Sequence, residues 1–433
     1  MAIKMKHLIS ILPLVILLAA CTSKTNPLAE QQSNPLVERK LLLMLDNKDM
    51  FRLEAYLENE RAEISQGIAL FLEAHLQNAF NQTEQSLQTI DILLDKFSES
   101  LNDTLLWSIY LLKFDNLKKQ YQYGASVEAM KKAIDNYGHA ADSVVFVDVL
   151  NACALFEPLS ELPPQKIHIT KDVTIPIRNQ YGLILMPVRS GGKSEHFIFD
   201  TGANMSVVSE SCAERLGIRE LESSLEVKIA SGGKIESKVG VADSLWIGDL
   251  LVENVAFLVV ADNIFGGQNI PGIIGFPIMH QMKEAHIHKY ESITVPAQPQ
   301  KRNLHNLFLN GSSMYVQAVA DGDTVLLLID SGYGNSVFSA RYFTTQQEKI
   351  LEKATLKSYQ RKTDDGTSKS QYYVLKNIPF QIGVYELTIP SINVMPEKIM
   401  SPEDYDGILG PNILMNFKTL ILNFEDMYLT FEE

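Results

Sequence analysis

Along residues 36–156 apolar side chains recur at i, i+3 and i+4, the period of a helix buried on one face. "LLLMLDNKDMFRLEAYLENE" and "ISQGIALFLEAHLQNAF" show it, and "TEQSLQTIDILLDKF", "TLLWSIYLLKFDNL" and "SVEAMKKAIDNY" continue it with few prolines. Breaks at Asn81 to Thr83 and Tyr123 to Ala125 predict short antiparallel helix pairs. The pattern changes at "FEPLSELPPQK", Phe156 to Lys166, a proline-rich boundary. Beyond it short β-branched runs are punctuated by Gly, Pro and Asn, which predicts strands. "ESITVPAQPQKRN", residues 291–303, divides this β region into halves.

The halves repeat. "FIFDTGANMSVVSE" (Phe197 to Glu210) aligns without a gap on "LLIDSGYGNSVFSA" (Leu327 to Ala340), setting Asp200 opposite Asp330 and Ser206 opposite Ser336. "WIGDLLVENVAF" and "QIGVYELTIPSI" place Gly248 opposite Gly383, and "PGIIGFPIM" and "DGILGPNIL" place Gly272 opposite Gly407, both 135 residues apart. The two aspartates are 130 apart, so about five extra residues fall between Gly332 and Gly383, assigned to "KSYQRKTDDGTSKS". Three markers in one order indicate a duplicated lobe. In the helical part, Phe80-Asn81 and Tyr121-Gln122 sit at similar helix ends about forty residues apart. That spacing resembles a tetratricopeptide-type array, and the same pattern fits a plain helical bundle.

The first twenty residues change the picture of where the chain works. Lys4 and Lys6 precede an apolar run, Leu8 to Ala20, too short to span a bilayer. It ends in "LAAC", which resembles the lipobox of bacterial lipoproteins, implying cleavage before Cys21 and lipidation of that cysteine. The expected layout is a signal peptide over residues 1–20, a polar tether over 21–35 and a helical domain over 36–160. A first β lobe over 166–290, a linker over 291–303 and a second lobe over 304–433 follow. The expected location is the bacterial cell envelope, lipid-anchored and either periplasmic or surface-exposed.

The formal charge is −14, and removing the signal with its two lysines takes it to about −16. No basic cluster stands out, so nucleic acid is not an expected partner. With Cys21 lipidated, only Cys153 and Cys212 remain, which supports no disulfide framework.

Asp-Thr-Gly or Asp-Ser-Gly after an apolar strand, with an apolar-apolar-Gly element some seventy residues later, occurs in both halves: "GIIG" at 272–275 and "GILG" at 407–410. This resembles the aspartic proteases, over roughly residues 166–433. "DTGANMS" is most similar to the retroviral-type (retropepsin-like) branch, and the two-lobed chain to the pepsin layout. The expected fold class is therefore an all-α, repeat-like N-terminal domain followed by an all-β duplicated acid-protease fold. Amide hydrolysis without a metal or covalent intermediate needs a base to activate water and an acid for the leaving group. Two carboxylates a few ångströms apart share one proton and hold both roles.

The resemblance implies that Asp200 and Asp330 form the dyad, with Thr201 and Ser331 anchoring the loops to each other. Gly202 and Gly332 would permit close backbone approach, and Gly275 and Gly410 would let the chain pass beneath each loop. Ala203 and Tyr333 occupy the positions where pepsin-type enzymes carry a hydroxyl. Ser231, Gly232 and Gly233, and Asp365 and Gly366, fall where flap hairpins belong. His286 and His288 alternate on one strand and read as structural rather than metal-binding. The expected function is a membrane-anchored endopeptidase acting on extended peptides or protein loops, with no metal or organic cofactor. The alternatives are a catalytically silent peptide-binding protein on the same fold, and a scaffold whose helical domain recruits a protein partner.

Overall fold

The structure, a computed structural model, describes residues 33–228, 234–265, 270–363, 366–398 and 404–432. It has a helical unit ending at Pro164 and a β unit beginning at Gln165. The fold class is the one expected: helices first, then a duplicated β region. Cys21 lies outside the described residues. Among those residues no helix is long and apolar enough to cross a membrane.

The helical unit contains α1 (Pro35–Asp46), α2 (Met50–Glu60), α3 (Gln66–Ala79), α4 (Thr83–Lys96), α5 (Asp103–Lys119), α6 (Tyr123–Tyr137) and α7 (Ser143–Phe156). The first six form three successive hairpins, and all three turns are alike. Lys48, Asn81 and Tyr121 each take a left-handed backbone with φ near 60°. Their N–H groups donate to Leu45 O, Asn78 O and Lys118 O, and the next N–H groups reach back to Met44 O, Gln77 O and Leu117 O. Each turn thus satisfies carbonyls that a helix end leaves open. Leu53, Phe71, Leu72, Ile90, Leu93, Ile109 and Phe114 are buried between the hairpins. Asp115 is buried with them. Burial alone would raise its pKa, but Lys118 at 2.6 Å and Lys119 at 3.0 Å hold it well below the usual carboxylate range.

In the β unit each lobe is built on the same pairings. Strand Lys193–Phe199 lies parallel to Gly272–Ile274, matching Ile198 with Ile273; strand Asp323–Ile329 lies parallel to Gly407–Leu409, matching Leu328 with Ile408. Leu258 beside Val207 is repeated as Asn393 beside Val337. The displacement is 130 residues before the inserted stretch and 135 after it. The insertion lengthens one hairpin. Leu225–Lys228 pairs with Lys234–Ser237 over four positions, whereas Thr355–Thr363 pairs with Gly366–Val374 over nine.

A separate five-stranded sheet joins the lobes. Strand Glu284–His288 of the first lobe pairs antiparallel with Thr419–Asn423 of the second, and His286 faces Ile421. Residue 286 displaced by 135 is residue 421, so the pseudo-two-fold axis runs through this pair. One hydrophobic cluster, including Phe199, Phe257, Ile287, Leu309, Ile329 and Leu422, spans both lobes.

Candidate active site

Each lobe's apolar strand ends in its aspartate, and the backbone then folds into the same turn. Asp200 N donates to Ile274 O at 3.1 Å, and Asp330 N to Leu409 O at 3.0 Å. One carboxylate oxygen of each aspartate accepts from its own loop, Gly202 N at 2.9 Å and Gly332 N at 3.0 Å. Ala203 N and Tyr333 N close the turns on the aspartate carbonyls, each at 3.1 Å. Asp200 is 2% exposed and Asp330 0%, so both acids sit at the base of the lobes rather than on the surface.

The two loops are locked to each other. Thr201 N donates to Ser331 Oγ at 3.0 Å, and Ser331 N donates to Thr201 Oγ1 at 2.8 Å. The hydroxyls then donate onward across the interface, Thr201 Oγ1 to Ile329 O at 3.3 Å and Ser331 Oγ to Phe199 O at 2.8 Å. Four hydrogen bonds therefore join the strand end of one lobe to the loop of the other. A side chain at Gly332 would collide with the Asp200 carboxylate, so that carboxylate lies directly against the opposite loop. The chain brings one acid from each lobe to one place.

Gly275 and Gly410 pass beneath the loops. A Cβ on Gly275 would meet the carbonyls of Met205 and Ala203, and one on Gly410 would meet Tyr333 O at 2.7 Å. Phe276 N donates to Ala203 O at 2.8 Å, which fixes Ala203 by its backbone. Ala203 is buried and Tyr333 partly exposed. Ser231, Gly232, Gly233 and Asp365 lie outside the described residues; Gly366 opens a strand, and Leu225–Lys228 pairs with Lys234–Ser237 as Thr355–Thr363 pairs with Gly366–Val374.

Sequence reasoning assigned no role to Ser206 and Ser336. Gly275 N donates to Ser206 Oγ at 3.1 Å, and Gly410 N donates to Ser336 Oγ at 2.9 Å. The gapless alignment of the two serines was the available signal. It also missed Glu284, a fully buried carboxylate in the inter-lobe sheet. His286 Nε2 at 2.6 Å, Gln300 N at 3.0 Å, Asn423 Nδ2 at 2.5 Å and Tyr428 OH at 3.0 Å all donate to it. Burial pushes its pKa up, but the donors outweigh burial and hold it below the ordinary value. His288 bridges Thr419 and Thr294 within the same sheet. Among the described residues no group of three or more His, Cys, Asp or Glu side chains is placed to hold a metal. Cys212 is buried behind the first loop, and burial pushes its thiol up to about 12, which leaves it unreactive.

No curated protein sequence matches the chain. Among solved structures, the chain is similar to basic 7S globulin from soybean, at 11% identity and TM-score 0.39, over 62% of this chain and 95% of that one. It is similar to an aspartic proteinase from Irpex lacteus, at 10% identity and TM-score 0.40, over 60% and 98%. A retropepsin-like aspartic protease from Rickettsia conorii matches at 18% identity and TM-score 0.20, over 30% and 91%. Residues 186–278, the stretch holding Asp200 and Gly275, match the model of a family described as aspartyl protease.

Proposed function

We propose that the β unit is an aspartic endopeptidase whose acid–base pair is Asp200 and Asp330. The observation that carries this reading is the reciprocal Thr201–Ser331 lock, which sets the Asp200 carboxylate against the loop that holds Asp330. Two carboxylates held at one water share a proton. One takes a proton from the water as it attacks the peptide carbonyl, and the other protonates the departing amine. Substrates are extended peptides or protein loops, bound by their backbone with alternate side chains in pockets. The hairpins with tips near residues 231 and 364 would close over them, excluding bulk water.

In this reading the chain is exported, cut before Cys21 and held to the membrane by lipid on that cysteine. The helical unit, a tetratricopeptide-type array in this proposal, recruits a protein partner. The test is an unbiased peptide-library digest with wild type, Asp200→Asn and Asp330→Asn. Each Asn keeps the shape but cannot share the proton. Cleavage should fall by at least about 10²–10⁴-fold in either variant. Near-wild-type turnover in either would remove that residue from the dyad, and a wild type that binds peptides without cutting them would leave a peptide-binding protein. Labelling with palmitate should tag the wild type and not Cys21→Ser.

A further inference from the structure

The first helix hairpin carries a groove in which cations outnumber carboxylates. Leu36, Arg39, Lys40, Leu43, Met44 and Asn47 of α1 and the α1–α2 turn, with Asp49 and Arg52, line an open groove of about 380 Å³. Leu36 is 77% exposed and Leu43 49%. Their spacing puts them on one stripe of α1, with Arg39 and Lys40 between them. Arg52 is paired with Asp49 at 2.8 Å, and Lys40 Nζ lies over the Tyr56 ring at 3.8 Å. Arg39 makes no ion pair among the described residues. The groove thus holds three cations against one carboxylate, in a chain whose formal charge is −14.

We infer that this face of the first hairpin rests on an anionic phospholipid surface. Two observations select that occupant. The first is charge. An acidic chain is repelled by an anionic bilayer except where cations are gathered, and exposed leucines flanked by Arg and Lys suit the headgroup boundary. The second is position in the chain. Eleven residues lie between Cys21 and Ser33, the first described residue, and α1 begins two residues later. Fully extended, that stretch spans at most about 40 Å, so a lipid at Cys21 keeps α1 close to the headgroups. The inference takes its setting from the proposed anchor at Cys21, but its test does not depend on that anchor. The consequence is orientation. The tether alone would let the molecule tumble, whereas a second, weak contact at α1 fixes which face of the helical unit meets the bilayer.

The experiment uses the chain from Thr22 onwards, which keeps both folded units and carries no lipid. Its sedimentation with vesicles of phosphatidylcholine and phosphatidylglycerol is compared with that on phosphatidylcholine alone, at low and high salt. Wild type should partition onto the anionic vesicles and leave them at high salt. Arg39→Gln combined with Lys40→Gln should weaken partition by about 20–30-fold, following the contribution of each cation near an anionic surface. Leu36→Ser combined with Leu43→Ser should weaken it by about tenfold or more, and Val144→Ser on α7, another exposed apolar position, should change nothing. Circular dichroism confirms that the variants stay helical. Absence of wild-type partition, equal partition onto neutral vesicles, or four-position substitution without effect would each overturn the inference. Capture of a polyglutamate peptide with no vesicle binding would assign the groove to an acidic protein segment instead. Palmitate labelling without vesicle binding sinks this inference alone, and vesicle binding without labelling sinks the anchor alone.

Discussion

Removing the Glu284 carboxylate should loosen the joint between the lobes by an amount the structure allows to be worked out. Glu284 belongs to the first lobe, Gln300 to the connecting segment, and Asn423 and Tyr428 to the second lobe, so one side chain ties three parts of the chain. In Glu284→Gln the shape is kept and the amide oxygen still receives donors, but without the charge. A hydrogen bond to a charged group contributes about 1.5–3 kcal/mol and a neutral one about 0.5–1.5 kcal/mol. With several donors sharing one group, a loss of about 2 kcal/mol is expected. Glu284→Ala goes further. Asn423 Nδ2 and Tyr428 OH keep a second acceptor, Gln300 O, at 3.3 and 2.9 Å, but Gln300 N, in the connecting segment, loses its acceptor. Adding that orphaned donor and the emptied volume brings the expected loss to about 4 kcal/mol.

The pH dependence fixes the cause. Glu284 is held below its ordinary value of 4.5, so the folded state binds fewer protons than the unfolded one as the pH falls. Its contribution is full above that value and is lost as pH falls through the lower folded value. Urea unfolding followed by Trp246, in a Trp107→Phe background so that only the β unit reports, measures this directly. Glu284→Gln should be less stable than its parent at pH 7, and the difference should be smaller at pH 3. A difference under about 0.5 kcal/mol at pH 7, or one of equal size at both pH values, would refute the assignment.

Thr201→Val should cost about 2–3 kcal/mol, because Ser331 N loses its 2.8 Å acceptor in a buried site; in urea unfolding its effect and that of Ser331→Ala should combine to less than their sum, since both act on one network. Gly332→Ala should displace the Asp200 carboxylate it would overlap and reduce kcat/KM by about 10²-fold or more, with circular dichroism unchanged; retained activity would place that carboxylate elsewhere. Asp46, at the C-terminal end of α1, has its pKa raised by burial, against the pull of Lys48, from 3.8 to about 6. The folded state therefore binds more protons than the unfolded between those values, and the group's stabilisation is lost as pH rises through about 6. Asp46→Asn should stabilise the helical unit by about 1–2 kcal/mol at pH 7.5, after allowing for partial exposure, and by nothing at pH 3.5; a destabilised variant at pH 7.5 would contradict this.

The duplication was legible because its chemistry is local. Asp, a hydroxyl residue, Gly and, four residues after that Gly, a serine are each required by one turn, and a turn of this shape tolerates few replacements. Even the five-residue excess could be placed from the change in displacement, and it lies in the longer hairpin. The buried carboxylate was not legible, because its meaning depends on residues 16, 139 and 144 positions away. In "EAHIHKY" the histidines draw attention, while the glutamate beside them looks like an ordinary surface charge. The shared conformation of the helical turns, though not their place at residues 81 and 121, was hidden for a different reason. Lys, Asn and Tyr share one left-handed conformation at positions 48, 81 and 121, although only Asn is a familiar occupant of it. There the packing of adjacent helices selects the turn, and the residue type records little of it.

Duplication with drift also explains where the site is asymmetric. Thr201 and Ser331 occupy equivalent places and make equivalent bonds across the interface, and Ser206 and Ser336 accept equivalently from Gly275 N and Gly410 N, each within its own lobe. A change in Thr201 or Ser331 would strand a partner in the other lobe, so these two positions are constrained as a pair. Ala203 N and Tyr333 N bond within their own turns, at Asp200 O and Asp330 O, and Ala203 O accepts from Phe276 N. Neither side chain is one of the four bonds of the lock, so one could become small and the other large. The hairpins are free in the same sense, since each pairs with strands of its own lobe, and they differ in length by five positions. The axis itself passes through His286 and Ile421, where two-fold equivalence demands no likeness of side chain beyond fit in a sheet. Symmetry is kept at the lock and at the serines that accept from the glycines beneath each loop, and relaxed at Ala203, Tyr333 and the hairpins. On the proposed function, the second category is the one facing the substrate.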